Sequence, residues 1–138
     1  MQVSVAEFLE KVSKLKRTQE KIDAIKANDS FVLRVILQAV FDPKVEFLLP
    51  EGEPPYKPND LVDLEHVLIR EARMMQYFVK GFHDDLPQNK REQMFVSLLE
   101  NVDPKDAKLL CAVKDKKLPY KGITIQHVTE GLPGLINE

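Results

Sequence analysis

Ser30-Phe31-Val32-Leu33-Arg34-Val35-Ile36-Leu37-Gln38-Ala39-Val40-Phe41 is apolar nearly all round, and its reading decides the fold class. A continuous apolar run can also be a buried strand, but strands seldom exceed about eight residues. No Gly or Pro interrupts positions 18 to 42. The spacing therefore predicts a helix over 31–41, capped by Asp29 or Ser30 and placed at the centre of the molecule, because a helix without a polar face must be covered on all sides.

Toward the amino terminus, Val5, Phe8, Leu9, Val12 and Leu15 recur at helical spacing, and Ser4 with Glu7 forms a capping-box pattern at the start. Residues 18–27 carry Ile22, Ala24 and Ile25 on a short second helix. Beyond the central helix, five of the nine prolines fall between Pro43 and Pro58, with Gly52 among them, and this predicts a long extended crossover. Val45, Phe47, Leu48, Leu49 and Tyr56 make that segment too apolar for a free linker, so it is expected to pack along the helices without marking a domain boundary.

A long fourth helix is expected from Asn59-Asp60 to Gly81, with Leu61, Leu64, Leu68, Met75, Phe78 and Val79 on one face. Asp85 and Pro87 open a fifth and Asp103-Pro104 a sixth, the latter ending among Lys114, Lys116 and Lys117, where the helix dipole favours cations. A last short helix starts near Thr124 and is closed by Gly131, Pro133 and Gly134. The expectation is an all-α, compact single-domain bundle over 1–138, with about seven helices and a long proline-rich crossover loop.

Composition narrows the function classes. With 43% hydrophobic and 30% charged residues, 20 basic and 22 acidic, the chain can build a core without staples. Lone Cys111 excludes an internal disulfide, and its neighbours Leu109, Leu110 and Ala112 mark it as a core side chain. His66, His83 and His127 are far apart, so no metal or other cofactor is expected. Asp84-Asp85 is the only adjacent carboxylate pair considered, and Asp85 reads as a helix cap. No phosphate-binding GxxxxGK[ST] loop, GxGxxG turn or GxSxG elbow occurs, and no catalytic residue is assigned. Without a signal peptide or an apolar span of ~18 residues, the expectation is a cytoplasmic protein with no membrane partner.

The net charge of −2 hides two basic clusters, Lys11, Lys14, Lys16 and Arg17, and Lys114, Lys116, Lys117 and Lys121. The second runs into Leu118-Pro119-Tyr120-Lys121-Gly122-Ile123-Thr124, a tight connection before a helix start, where backbone amides, Lys121 and the Thr124 hydroxyl can converge on a phosphate.

Asp103-Pro-Lys-Asp-Ala-Lys-Leu-Leu110, Leu118-Pro-Tyr-Lys-Gly-Ile-Thr-Ile125, His127-Val128 and Gly131-Leu-Pro-Gly-Leu-Ile136 together resemble the end of the amino-terminal DNA-binding domain of phage ATP-dependent DNA ligases. The helix outline resembles that domain over nearly the whole chain. An uncharacterised family of small proteins in large tailed phages, including cyanophages, looks similar in size and layout. The ligase resemblance implies an all-helical module that grips the minor-groove side of duplex DNA through backbone phosphates. It implies that Lys121, Gly122 and Thr124 form the phosphate-contacting turn, with Lys117 and His127 nearby; Lys14, Lys16 and Arg17 extend the basic surface. No Lys-x-Asp-Gly tetrapeptide occurs, so a stand-alone accessory of phage replication, repair or transcription in the infected host is expected in place of a ligase. The alternative is an adaptor for a phage or host replication or transcription protein that kept the fold, lost DNA binding and docks through Phe47, Leu48 and Tyr56.

Overall fold

In the computed structural model, which describes residues 3–136, short polar side chains start the helices as their positions predict. Ser4 Oγ accepts the Glu7 N–H at 3.2 Å, Ser30 Oγ that of Leu33 at 3.3 Å, and Asp103 Oδ1 that of Lys105 at 2.9 Å. The elements are α1 (Val5–Ser13), α2 (Thr18–Ala27), α3 (Phe31–Phe41), α4 (Val67–Glu71), α5 (Gln88–Asn101), α6 (Pro104–Lys114) and α7 (Ile125–Gly131). A 3-10 segment, Ala72–Tyr77, continues α4. Among the described residues the only strand pairing is an isolated antiparallel bridge between Phe47 and Val79, so the fold is all-α.

Helix α3 is central, with Leu33, Ile36 and Leu37 buried against α6 and the α4 region. α1 and α5 also pack on α6, whose Leu109, Leu110 and Val113 are fully covered. The amino- and carboxy-terminal ends meet where α2 packs on α7. That contact depends on Gly131, because a Cβ there would lie 2.9 Å from Ile25 Cγ2.

The expected long fourth helix is not formed. Residues 59–66 are irregular, Leu61 and Val62 are exposed, and the helix begins only at Val67. Two local causes compete with helix there: Asn59 Oδ1 accepts the Leu61 N–H at 3.0 Å, and Asp63 takes a left-handed φ of 61°. At the other end the crossover pulls the chain out of helix. Leu48 N–H donates to Phe78 O and Lys80 N–H to Glu46 O, both at 2.8 Å, so Phe78 to Lys80 pair with the crossover.

Asp85 does not cap α5 either. Pro87 occupies the N-cap position, and it is Asp84 whose Oδ1 accepts a backbone N–H, that of Gly81, at 2.6 Å. The turn before α5 is held by Arg91, a buried cation absent from the sequence reading. Its guanidinium donates to Tyr77 O at 3.0 Å, His83 O at 2.8 Å and Gln88 Oε1 at 2.6 Å.

Residues 42–66 contain no helix, and α5 and α6 lace them down. Lys57 N–H donates to Glu100 Oε2 at 2.8 Å, and Gln88 Nε2 to Leu48 O at 2.8 Å. Lys114 Nζ reaches Pro50 O at 2.8 Å and Asp115 Oδ1 at 2.6 Å, while Lys116 Nζ bridges Asp42 O at 2.7 Å and Val45 O at 2.8 Å. Charge-assisted bonds of this kind are worth about 1.5–3 kcal/mol. Lys116→Ala is therefore expected to destabilise the fold by about 2 kcal/mol in urea denaturation and to speed proteolysis within residues 42–58. A loss below about 0.5 kcal/mol would mean that Lys116 does not anchor the segment.

Candidate functional site

The basic surface begins in the connection between α1 and α2. Lys14, Lys16 and Arg17 are exposed there, in the segment between the end of α1 at Ser13 and the start of α2 at Thr18, and the chain re-enters the core only at Ile22. The cations are not wholly without acidic company: Lys14 Nζ lies 3.4 Å from Glu10 Oε1, and Glu20 Oε1 accepts the Arg17 N–H at 3.2 Å. Both contacts are exposed and weak, so the guanidinium of Arg17 and the ammonium of Lys16 stay available to a ligand.

The 118–124 turn seats directly on this connection. Gly122 has φ +110°, and a Cβ there would stand 2.7 Å from the Ser13 carbonyl oxygen. Its own carbonyl accepts from Lys21 Nζ at 2.6 Å, a bond between residues 101 apart in sequence. The contact of Gly122 with Ser13 and Lys21 makes a seam, with exposed Lys14, Lys16 and Arg17 in the connection on one side and exposed Lys121 in the turn on the other. Lys21 was missed by sequence reasoning. It stands beside the apolar face of Ile22 and Ile25, and no spacing rule connects that face to a glycine turn at the other end of the chain.

Other predicted site residues take different roles. Gly122 uses its missing side chain for close approach to α1, not to a ligand. The Thr124 N–H donates to His127 Nδ1 at 3.0 Å, so that amide is already spent, and the Thr124 Oγ1 stands 3.3 Å from the same nitrogen. His127 is buried; burial first, then the charge of Lys21, holds its imidazole below the usual histidine pKa, against the opposing pull of Glu130. A neutral ring accepting at Nδ1 is a helix cap, so His127 departs from the expected ligand contact. Lys117 is exposed, but no hydrogen bond or ion pair among the described residues ties it to the seam. Lys114 and Lys116, counted in the second basic cluster, turn away to the crossover.

Cys111 is buried, and its thiol is pushed up to about 11, first by desolvation. No group of three or more His, Cys, Asp or Glu among the described residues is arranged to hold a metal ion, and no helix there is long and apolar enough to cross a membrane.

Searches of curated proteins and of solved structures gave no match. One family model, described as a family of unknown function (DUF6433), matches residues 8–120. The match runs from within α1 through α6, and stops immediately before Lys121 and Gly122. Since it spans well over half of the 138 residues, the chain belongs to the DUF6433 family.

Proposed function

We propose that the protein is a non-catalytic module that binds the backbone phosphates of duplex DNA, as an accessory in phage DNA replication, repair or transcription. The observation that carries this reading is the seating of the 118–124 turn on the α1–α2 connection, sealed by the 2.6 Å bond from Lys21 to Gly122. It brings the exposed Lys121 of the second basic cluster to the connection that carries Lys14, Lys16 and Arg17 of the first, and this is the surface we assign to a phosphate track.

Affinity from such a surface comes from released counterions, with a salt slope of about −0.9 per phosphate neutralised on duplex DNA. Glu10 and Glu20 subtract from the local potential, so binding is modest and strongly salt-dependent. The aromatic ring of the turn, Tyr120, is half-buried against the core, and the most exposed phenylalanines, Phe31 and Phe82, line a groove elsewhere. Base stacking on single strands is therefore not favoured.

Fluorescence anisotropy with intact duplex, nicked duplex and single-stranded DNA at two salt concentrations tests the reading. A K16E/R17E pair and K121E are each expected to weaken duplex binding about tenfold or more at low salt, while K105E, on α6, leaves it within about twofold. A preference for the nicked duplex would tie the module to ligation or repair. Absence of duplex binding even at low salt would overturn the proposal.

For the alternative adaptor reading, Phe47, Leu48 and Tyr56 are half-buried, and Phe47 and Tyr56 pack against the core.

A further inference from the structure

A second surface stands apart from the basic seam. Helix α3 and the 3-10 segment, Ala72–Tyr77, wall a groove of about 460 Å³. Val35, Ala39, Val45, Met75 and Val79 contribute to its apolar lining. Phe31 and Phe82 also line it, yet they are 59% and 68% exposed. Two phenylalanines this open are costly to leave in water, whereas buried singly they would each contribute to a core. The crossover does not cover them: its Phe47 side chain lies in the lining, half-buried.

Charge restricts what can fill the groove. Arg73 is the only charged residue in the lining, and it has no ion pair among the described residues. Two other arginines are balanced: Arg70, three residues before it, has its Nε 3.5 Å from Glu71 Oε1, and Arg34 on α3 forms a two-point pair with Asp29 at 2.6 and 2.7 Å. An occupant must therefore bring apolar side chains for the space between the phenylalanines and a carboxylate for Arg73. Backbone geometry restricts it further. Apart from Arg73, the polar residues of its lining are Gln38 and Gln76, the latter already engaged with His83 at 3.3 Å. An extended segment would leave its main-chain groups unpartnered there, whereas a helix satisfies its own.

We propose that the groove between Phe31 and Phe82 docks the apolar face of an acidic amphipathic helix from a partner protein, with a carboxylate of that helix paired to Arg73. The surface is independent of the basic seam, so the protein can hold nucleic acid and a protein partner at once.

Two fluorescein-labelled 16-residue amphipathic peptides serve as probes, sharing a leucine stripe at helical spacing and differing only in carrying Glu or Lys beside it. The wild-type protein is expected to bind the Glu peptide at least about tenfold more tightly than the Lys peptide. R73E should abolish or reverse that preference, and F31S and F82S should each weaken the Glu peptide about tenfold; both positions are exposed, and far-ultraviolet circular dichroism confirms retained helix. K16E/R17E should leave peptide affinity unchanged, which separates failure here from failure of DNA binding. Equal affinity for the two peptides, or indifference to R73E and F82S, would overturn the proposal. So would a concentration-dependent dimer in sedimentation that F31S or F82S dissolves, since the groove would then be a contact between copies of this chain.

Discussion

Replacing Gly122 by alanine is expected to lower the unfolding free energy by about 2–4 kcal/mol. Two causes add at this position. The φ of +110° belongs to glycine, and side-chain-bearing residues in such regions pay about 1–3 kcal/mol. The new Cβ would also stand 2.7 Å from the Ser13 carbonyl oxygen, a backbone atom at the end of α1 that no rotamer change can move aside. The turn must lift, and the 2.6 Å bond from Lys21 to the Gly122 carbonyl is lost with it. Gly81→Ala is the matched control: its φ is +108°, but nothing lies within 4 Å of the added methyl group. Urea denaturation of the two variants separates strain from packing, with Gly122→Ala expected to be worse by at least about 1 kcal/mol. Because lifting the turn parts Lys121 from Lys16 and Arg17, the same variant should weaken duplex binding where Gly81→Ala does not. Equal destabilisation by the two substitutions would mean that the turn is not seated on α1.

The second large effect is on the pH dependence of stability. Asp106, in the first turn of α6, is fully buried against the start of α1. Its Oδ1 accepts the Ala6 N–H at 2.8 Å, while Oδ2 has no hydrogen-bond partner. Burial pushes its carboxyl up to about 7; the Ala6 N–H holds it down in part, and the charges of Asp103, Glu7 and Glu65 push it further up. The unfolded carboxyl titrates near 3.8, so between those values the folded state binds the extra proton. Stability therefore falls as pH rises from about 4 to about 7 and levels off above, by up to about 4 kcal/mol. The well-held Asp29, lowered by its hydrogen bond from Arg34, acts in the opposite sense and at lower pH. Asp106→Asn keeps the acceptor for Ala6 without the charge. Its stability should match the wild type near pH 3.5, exceed it by about 1–2 kcal/mol at pH 5 and by about 2–4 kcal/mol at pH 8, as read by urea denaturation across that range. Parallel curves for the two proteins would show that Asp106 is not the titrating group.

Much of the fold was legible because its signals are local. The caps Ser4, Ser30 and Asp103 satisfy amides two or three residues away, and the all-round apolar pattern of 31–41 can be covered only at the centre of a bundle. The long fourth helix failed because its apolar spacing was read without its competitors. Asn59 and Asp63 favour local turns, and Phe78 and Lys80 find backbone partners in Leu48 and Glu46, 30 and 34 residues earlier. Lys114 and Lys116 looked like free cations at a helix end, yet their ammonium groups tie down the crossover.

The candidate surface divides in the same way. Composition and spacing by themselves determined the helical class, the two basic clusters, the glycine turn before α7 and the absence of any recognisable catalytic motif. Only the tertiary structure decided that the 118–124 turn seats against the end of α1, that Lys21 bonds to it, that His127 is a cap, and that Phe31, Arg73 and Phe82 line one groove. Helical periodicity and capping are properties of neighbouring residues, so one sequence suffices to read them. A bond such as that from Lys21 to Gly122 spans 101 residues and exists only after α2 has packed on α7, a contact set by the whole core and written in no single segment.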